Sequence, residues 1–376
     1  MIRFLHTADL QIGKPFAGVD GDPGAALRAR RITVLADIAR VATAHAAEFV
    51  VVAGDLFDAN TVDARTVEGA CRALAELPCP AFVLPGNHDA GDIASVYRSR
   101  RFERARPPNV HVLMTPEPTV VAGGRAVLLP APLLRRHVFG DPAFHMTAEF
   151  GRDVAPNAVR IGVAHGGVRG FASDPDAAPN LLPVDLAQRA ALDYLALGDW
   201  HGTLQIDERT WYSGTPEPDR HKRNAPGAVL LVTLTAPGAT PQVERVETAH
   251  FRWLAHEARL ADASDVDQLR RWFDAVDAPG RAIVDLALTG SLDVDARQQL
   301  DELLDEWRGR LHVLAVEADV DAMPTDAQVD AVAGEGYLRA AVDELRARAG
   351  GVDADAEIAR HALTLLATTL ARARPS

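Results

Sequence analysis

The stretch Phe49-Val50-Val51-Val52-Ala53-Gly54-Asp55-Leu56-Phe57-Asp58 decides how the chain reads. Five apolar residues in a row, rich in β-branched Val, suit a strand buried on both faces, as in a parallel sheet covered by helices. Gly54 ends the run and permits a sharp turn, so the carboxylates of Asp55 and Asp58 follow where an open α/β sheet places its ligand crevice.

The same punctuation recurs on both sides. Ile2 to Thr7 reads as a strand and leads to Asp9 and Gln11, and helices are expected from about Ala25 to Ala47 and from about Val62 to Leu77. Ala81-Phe82-Val83-Leu84 is a third strand, followed by Gly86-Asn87-His88-Asp89 and then a polar, Arg-rich helix. Shorter strands are expected near Val110, Val120, Val127 and Val159, the last leading to His165. Tyr194-Leu195-Ala196-Leu197 is another buried run, ended by Gly198-Asp199-Trp200-His201. Alternation of strands with helical patterns points to βαβ units. Val229 to Leu234 reads as the strand closing this part, with Val243 to Thr248 pairing nearby. Beyond about residue 250 the texture changes to an Ala/Asp/Arg-rich helix, a strand near Ala282 to Leu288, a helix near Asp295 to Arg308, a strand near Leu311 to Val316 and two amphipathic helices. The expected division is 1–250 for an α/β catalytic domain and 251–376 for a small α/β cap.

Bulk properties bound the reading. A chain of 376 residues exceeds the size at which single cores usually stop growing. With 48% hydrophobic and 24% charged residues it has ordinary globular usage, which excludes a disordered protein. No apolar run approaches the roughly 20 residues of a bilayer span, so no membrane is expected and the expected compartment is the cytoplasm. Cys71 and Cys79 are too few for a disulfide framework and read as plain buried thiols. A net charge of −13 argues against a polyanionic partner, but carboxylates gathered around divalent cations are acidic only until the ions bind.

Five strand ends thus carry hard oxygen and imidazole donors. Residues two apart in extended backbone share a face, so Asp9 with Gln11, and Asp199 with His201, can each supply paired donors. A carboxylate such as Asp55 can bridge two cations about 3.5–4 Å apart, and water between them becomes a nucleophile as its pKa falls towards roughly 7. Asp58 reads as orienting a ligand or capping the helix after it. His6, His45, His111, His137 and His145 read as structural or surface residues.

The series Asp9-Leu10-Gln11, Gly54 to Asp58, Gly86 to Asp89, His165 and Gly198 to His201 resembles the calcineurin-like metallophosphoesterases. Within them, Phe4-Leu5-His6-Thr7-Ala8-Asp9 and Tyr212-Ser213-Gly214-Thr215-Pro216 resemble the DNA repair exonucleases of the Mre11/SbcD type, over about residues 1–250. The resemblance implies a four-layer αββα sandwich and two divalent ions, usually manganese, with magnesium or iron as substitutes. One ion would be held by Asp9, Gln11, Asp55 and His201, the other by Asp55, Asn87, His165 and Asp199. His88 would be a general acid or transition-state stabiliser that binds no metal, with Asp89 setting its orientation. Two positions depart from the family, which usually has His where Gln11 and Asp199 stand; Gln is the poorer donor, and Asp favours harder metals. The resemblance also implies DNA as substrate and an SMC-like coiled-coil ATPase of the SbcC/Rad50 type as partner, with a homodimer as a further expectation.

Three basic clusters lie beside these loops: Arg98, Arg100, Arg101, Arg104 and Arg106; Arg135 and Arg136; and Arg220, His221, Lys222 and Arg223. Arg98, Arg101, Arg220, Lys222 and Arg223 are the candidates for nucleic-acid contact. The hydrophobic stripe Ile358, Leu363, Leu366 and Leu370 is either a partner face or the packing face of a terminal helix. Three functions remain open on the sequence: a DNA nuclease, a small-molecule nucleotide phosphodiesterase or phosphatase, and a DNA-tethering subunit with a weakened site.

Overall fold

The computed structural model describes residues 1–170, 179–220, 224–322, 330, 336–351 and 353–373, with side chains to residue 366. The chain divides into two compact units, Met1–Phe251 and Arg252–Ser376.

Two six-stranded sheets build the first unit. One has the order β12-β11-β1-β2-β3-β4, with β1 Ile2–Thr7, β2 Val50–Val52, β3 Ala81–Val83 and β4 Val110–Val112 mutually parallel, and β11 Ala228–Leu234 and β12 Gln242–Glu247 antiparallel additions. The other has the order β5-β6-β7-β8-β10-β9, in which β6 Ala126–Ala131, β7 Val159–His165, β8 Tyr194–Gly198 and β10 Thr210–Tyr212 run parallel. Its edges are β5 Thr119–Val121 and β9 Leu204–Gln205.

Two-sided burial explains the unbroken apolar runs. One face of the first sheet packs under α1 Gly21–Ala44 and α2 Ala64–Ala75, joined by α3 Arg100–Ala105. The buried positions of α1 (Leu27, Arg31, Val34, Leu35, Ile38, Val41 and Ala42) follow the three-and-four spacing of a helix face. Asp63 caps α2 by accepting from Thr66 N at 2.9 Å. The other face meets the second sheet through a shared core in which Phe4 stacks on Phe49 at 4.9 Å and meets Tyr194 edge-on at 5.6 Å. Such aromatic pairs contribute about 0.5–1.5 kcal/mol beyond their buried area and tie the two sheets together. The outer layer of the second sheet is thin: the short α4 Leu186–Arg189 and the irregular chain near Ala143, Met146 and Ala155. The arrangement is a mixed α/β sandwich of the metallophosphoesterase kind. The Arg-rich helix expected after Gly86 is a single 3-10 turn, Val96–Arg98, and then α3.

In the second unit, three parallel strands in the order β13-β14-β15 (Arg252–Leu260, Ala282–Leu292, Val313–Ala322) carry α5 Ala263–Asp274 and α6 Val294–Arg308. Two more helices follow, α7 Tyr337–Ala349 and α8 Ala354–Ala373. The sequence reading gave no strand at β13, because its charged and apolar residues alternate with most of them half-exposed or exposed. In the stripe on α8, Leu363 and Leu366 pack on Val342 of α7 while Ile358 stays exposed; the side chain of Leu370 lies outside the described residues.

No helix among the described residues is long and apolar enough to cross a membrane.

Candidate metal centre

The ends of β1, β2, β3, β7 and β8 meet at one edge of the sandwich, where the backbone ties neighbouring turns of each sheet together. Asp9 N donates to Gly54 O at 3.1 Å and Gly166 N to Gly198 O at 3.2 Å. The turns carrying the donors are strained. Asp9, Gln11, Asp55 and Asp199 have φ of 54°, 45°, 54° and 99°, a left-handed region that non-glycine residues enter only when their surroundings force them. Close approach is enforced as well. A Cβ on Gly86 would lie 2.1 Å from Asp55 Oδ1, and one on Gly54 would lie 2.0 Å from His165 Nδ1. Only glycine lets the third strand's turn and the seventh strand's imidazole close on Asp55.

Asp9, Asp55 and His165 each turn an atom into one place, all within 4.8 Å of one another, and all three are buried. His165 Nδ1 donates to Ala53 O at 2.9 Å, so Nε2 faces the carboxylates: Asp55 Oδ2 at 3.6 Å and Asp199 Oδ1 at 3.9 Å. Asn87 Oδ1 lies 3.0 Å from the same nitrogen. Asp199 is the open side of the group, its side chain 39% exposed.

The electrostatics call for a cation. Burial lifts the Asp9 carboxyl to about 6 although His201 and His165 draw it down. Burial alone would lower His165, but Asp55, Asp9 and Asp199 overcome it and raise the imidazole to about 9. Three carboxylates, an amide oxygen and an imidazole nitrogen fit a divalent cation of the harder kind, which would displace the His165 proton and offset most of the negative charge of the group.

The expected partner position is built differently. Gln11 Oε1 accepts from Lys14 Nζ at 2.8 Å, and Gln11 Nε2 points at His201 Nε2 at 3.3 Å. His201 Nδ1 lies 3.2 Å from Asp219 Oδ2 and 3.0 Å from a guanidinium nitrogen of Arg220. Asp219 also pairs with Lys14 at 2.6 Å and lies 3.7 Å from the buried Arg31. Burial would raise the Asp219 carboxyl; the His201 N–H, Arg31 and Lys14 hold it well below the usual carboxylate range. Gln11 and His201 lie beside each other, as the sequence reading expects, with the Gln11 amide oxygen engaged by the Lys14 ammonium. Lys14 and Asp219 were missed. The signal for Asp219 was a carboxylate just after Ser213-Gly214-Thr215-Pro216, beside the singled-out Arg220.

His88 lies at the rim, half-buried, its N–H donating to Asp55 Oδ1 at 2.9 Å and its Nδ1 to Asp58 O at 2.7 Å. Two expectations are corrected here. Asp89 does not orient His88; it is fully buried and accepts from Phe57 N, Gly86 N and the Tyr97 hydroxyl, pinning the turn from below. Asp58 does not cap α2, since Asp63 does; its carbonyl oxygen is what sets the His88 ring.

The basic candidates divide. Arg98 is exposed with Nε 3.4 Å from Gly91 O, and Arg101 faces Glu68 at 3.9 Å with both side chains half-exposed. Arg220 is exposed and joins the His201 cluster, whereas Lys222 and Arg223 lie outside the described residues.

Residues 2–203 match the calcineurin-like phosphoesterase family. No curated protein matches the chain. Among solved structures, the crystal structure of TT1561 of Thermus thermophilus is similar at 14% identity, covering 66% of this chain and 99% of that one with a TM-score of 0.40. A second crystal structure has 14% identity, covers 65% of this chain and 99% of its own, and has a TM-score of 0.41. The family match takes in more than half of the 376 residues, and with it the turns that bear Asp9, Asp55, Asn87, His165 and Asp199. The chain belongs to the calcineurin-like phosphoesterase family of metal-dependent phosphoester hydrolases.

Proposed function

We infer that this protein is a metal-dependent phosphodiesterase acting on DNA, a nuclease of the Mre11/SbcD type. The observation that carries the hydrolytic reading is the convergence of Asp9, Asp55, Asn87, His165 and Asp199, from five separate turns, beside a half-buried His88. Support for DNA comes from the Mre11/SbcD-like stretches Phe4 to Asp9 and Tyr212 to Pro216, and from exposed Arg98 and Arg220 on the loops that carry His88 and follow His201. Manganese is the metal to test first, because a donor set dominated by carboxylate and amide oxygens suits it.

When bound, the divalent cation supplies Lewis acidity and water whose pKa is lowered from 15.7 towards roughly 7. The residues supply the rest. Asp55 and His165 are fixed by Gly86, Gly54 and Ala53, so they need no rearrangement to receive charge. His88, anchored through Nδ1 on Asp58 O, presents Nε2 as the atom that holds a proton for the departing oxygen. The exposed Asp199 side leaves an approach for the diester. An SMC-like coiled-coil ATPase partner belongs to the same proposal.

The test is the full chain with Mn2+ on end-labelled duplex and single-stranded DNA, beside bis-p-nitrophenyl phosphate and a nucleotide diester. The expected result is loss of DNA ends that disappears with Asp55→Ala. Hydrolysis of the small diesters with intact DNA would make this a small-molecule phosphodiesterase. DNA binding without any hydrolysis would make it a tethering subunit.

A further inference from the structure

We propose that the Lys14 ammonium takes the place of the first of the two divalent ions, so that this centre binds a single cation at Asp9, Asp55, Asn87, His165 and Asp199. The inference rests on the metal-dependent reading above and changes its stoichiometry.

The position beside Gln11 and His201 is already satisfied by protein atoms. Gln11 Oε1, the oxygen that would face a metal, accepts from Lys14 Nζ at 2.8 Å. His201 Nε2, the nitrogen that would face it, accepts from Gln11 Nε2 at 3.3 Å. Lys14 itself is locked by Asp219 at 2.6 Å, and the Asp219 side chain is only 2% exposed. A divalent ion sharing Gln11 Oε1 would sit against the ammonium in a poorly solvated place, where like charges repel most.

The two departures from the family pattern become one consistent change. An amide presents an oxygen lone pair and its syn N–H side by side, so Gln11 bridges the ammonium and the imidazole; the two ring nitrogens of an imidazole aim in diverging directions and cannot. Asp199 places a third carboxylate, after Asp9 and Asp55, around His165 Nε2, which strengthens the remaining site. Lys14 then supplies a fixed positive charge for a non-bridging phosphoryl oxygen, independent of metal supply.

Mn2+ titration of the full-length chain by calorimetry, with electron paramagnetic resonance of the loaded protein, decides it. The expected result is one tightly held Mn2+ per chain with an uncoupled hyperfine signal, lost in His165→Ala. The Lys14→Ala/Gln11→His double variant should gain a second ion and an exchange-coupled signal. Two ions with exchange coupling in the wild type would overturn the inference while leaving the metal-dependent reading intact. Binding of no ion would overturn both, and retention of the ion in His165→Ala would place it elsewhere and overturn the inference. The wild-type measurement stands even where the double variant does not fold.

Discussion

Asp219 holds Lys14 and His201 together, Oδ2 lying 2.6 Å from Lys14 Nζ and 3.2 Å from His201 Nδ1, with Oδ1 3.3 Å from the same imidazole nitrogen. A carboxylate behind an imidazole fixes which ring nitrogen carries the proton. Asp219→Asn keeps the shape and removes the charge that holds Lys14. Diester hydrolysis is expected to fall by about 10²-fold as the Lys14 charge loses its position, while calorimetry still counts the ion held by Asp55 and His165. Breaking a buried pair also destabilises by roughly 3–5 kcal/mol, which urea unfolding will register. Unchanged stability and turnover would mean that the Lys14, Asp219 and His201 cluster carries neither role.

His88 and Asp89 are neighbours in sequence with opposite duties. His88→Ala is expected to lower kcat by roughly 10²–10⁴-fold with Mn2+ binding unchanged, the usual range for a lost acid-base group. Tyr97→Phe, which removes the hydroxyl bonded to buried Asp89, is expected to cost about 1–3 kcal/mol of stability and little kcat per folded molecule. If Tyr97→Phe instead reproduced the kinetic defect of His88→Ala, Asp89 would belong to the chemistry after all.

Gly86→Ala tests the closeness of the β3 turn to Asp55. The added carbon would meet Asp55 Oδ1 at 2.1 Å and Asp55 N at 2.6 Å, and the backbone nitrogen cannot swing aside. Overpacking of this kind costs about 1–3 kcal/mol, and here it falls on a candidate ligand. Weaker Mn2+ binding at a modest drop in melting temperature is the expected pair of results. Normal affinity would show that the turn can open without disturbing Asp55.

What could be read from the sequence was set by burial. Runs such as Phe49 to Ala53 are apolar because both faces are covered, and that leaves a mark in the residues themselves. A Gly followed by Asp, Asn or His at the end of such a run marks a crevice, so the turns of Asp55, Asn87 and Asp199 stood out. β13 left no such mark, since Arg252, Glu257 and Arg259 alternate with residues facing the core. Lys14 and Asp219 stand 205 residues apart, and only the closed sandwich brings their charges together. Asp89 shows the limit at short range: side by side on a turn, its carboxylate goes into the core while His88 stays at the rim.

Between the sheets, His6 gives the fold a dependence on pH that is separate from the metal centre. The ring is fully buried, accepting from the Tyr194 hydroxyl at 2.9 Å and donating to Leu197 O at 3.2 Å, so it is held neutral. Burial lowers it from 6.5 to about 3, with the Leu197 carbonyl offsetting only part. Because the folded value lies below the unfolded one, the unfolded chain takes up a proton that the folded chain refuses between these limits. The stability His6 allows is thus complete above about 6.5 and drains away as the pH falls. Going from about pH 7 to about pH 5 is expected to cost about 2 kcal/mol through this residue alone. Urea unfolding of wild type and His6→Gln at both pH values isolates it, since the carboxylates are common to the two chains. The wild type should lose about 2 kcal/mol more than the variant on acidification, and equal losses would mean that the ring is protonated inside the fold.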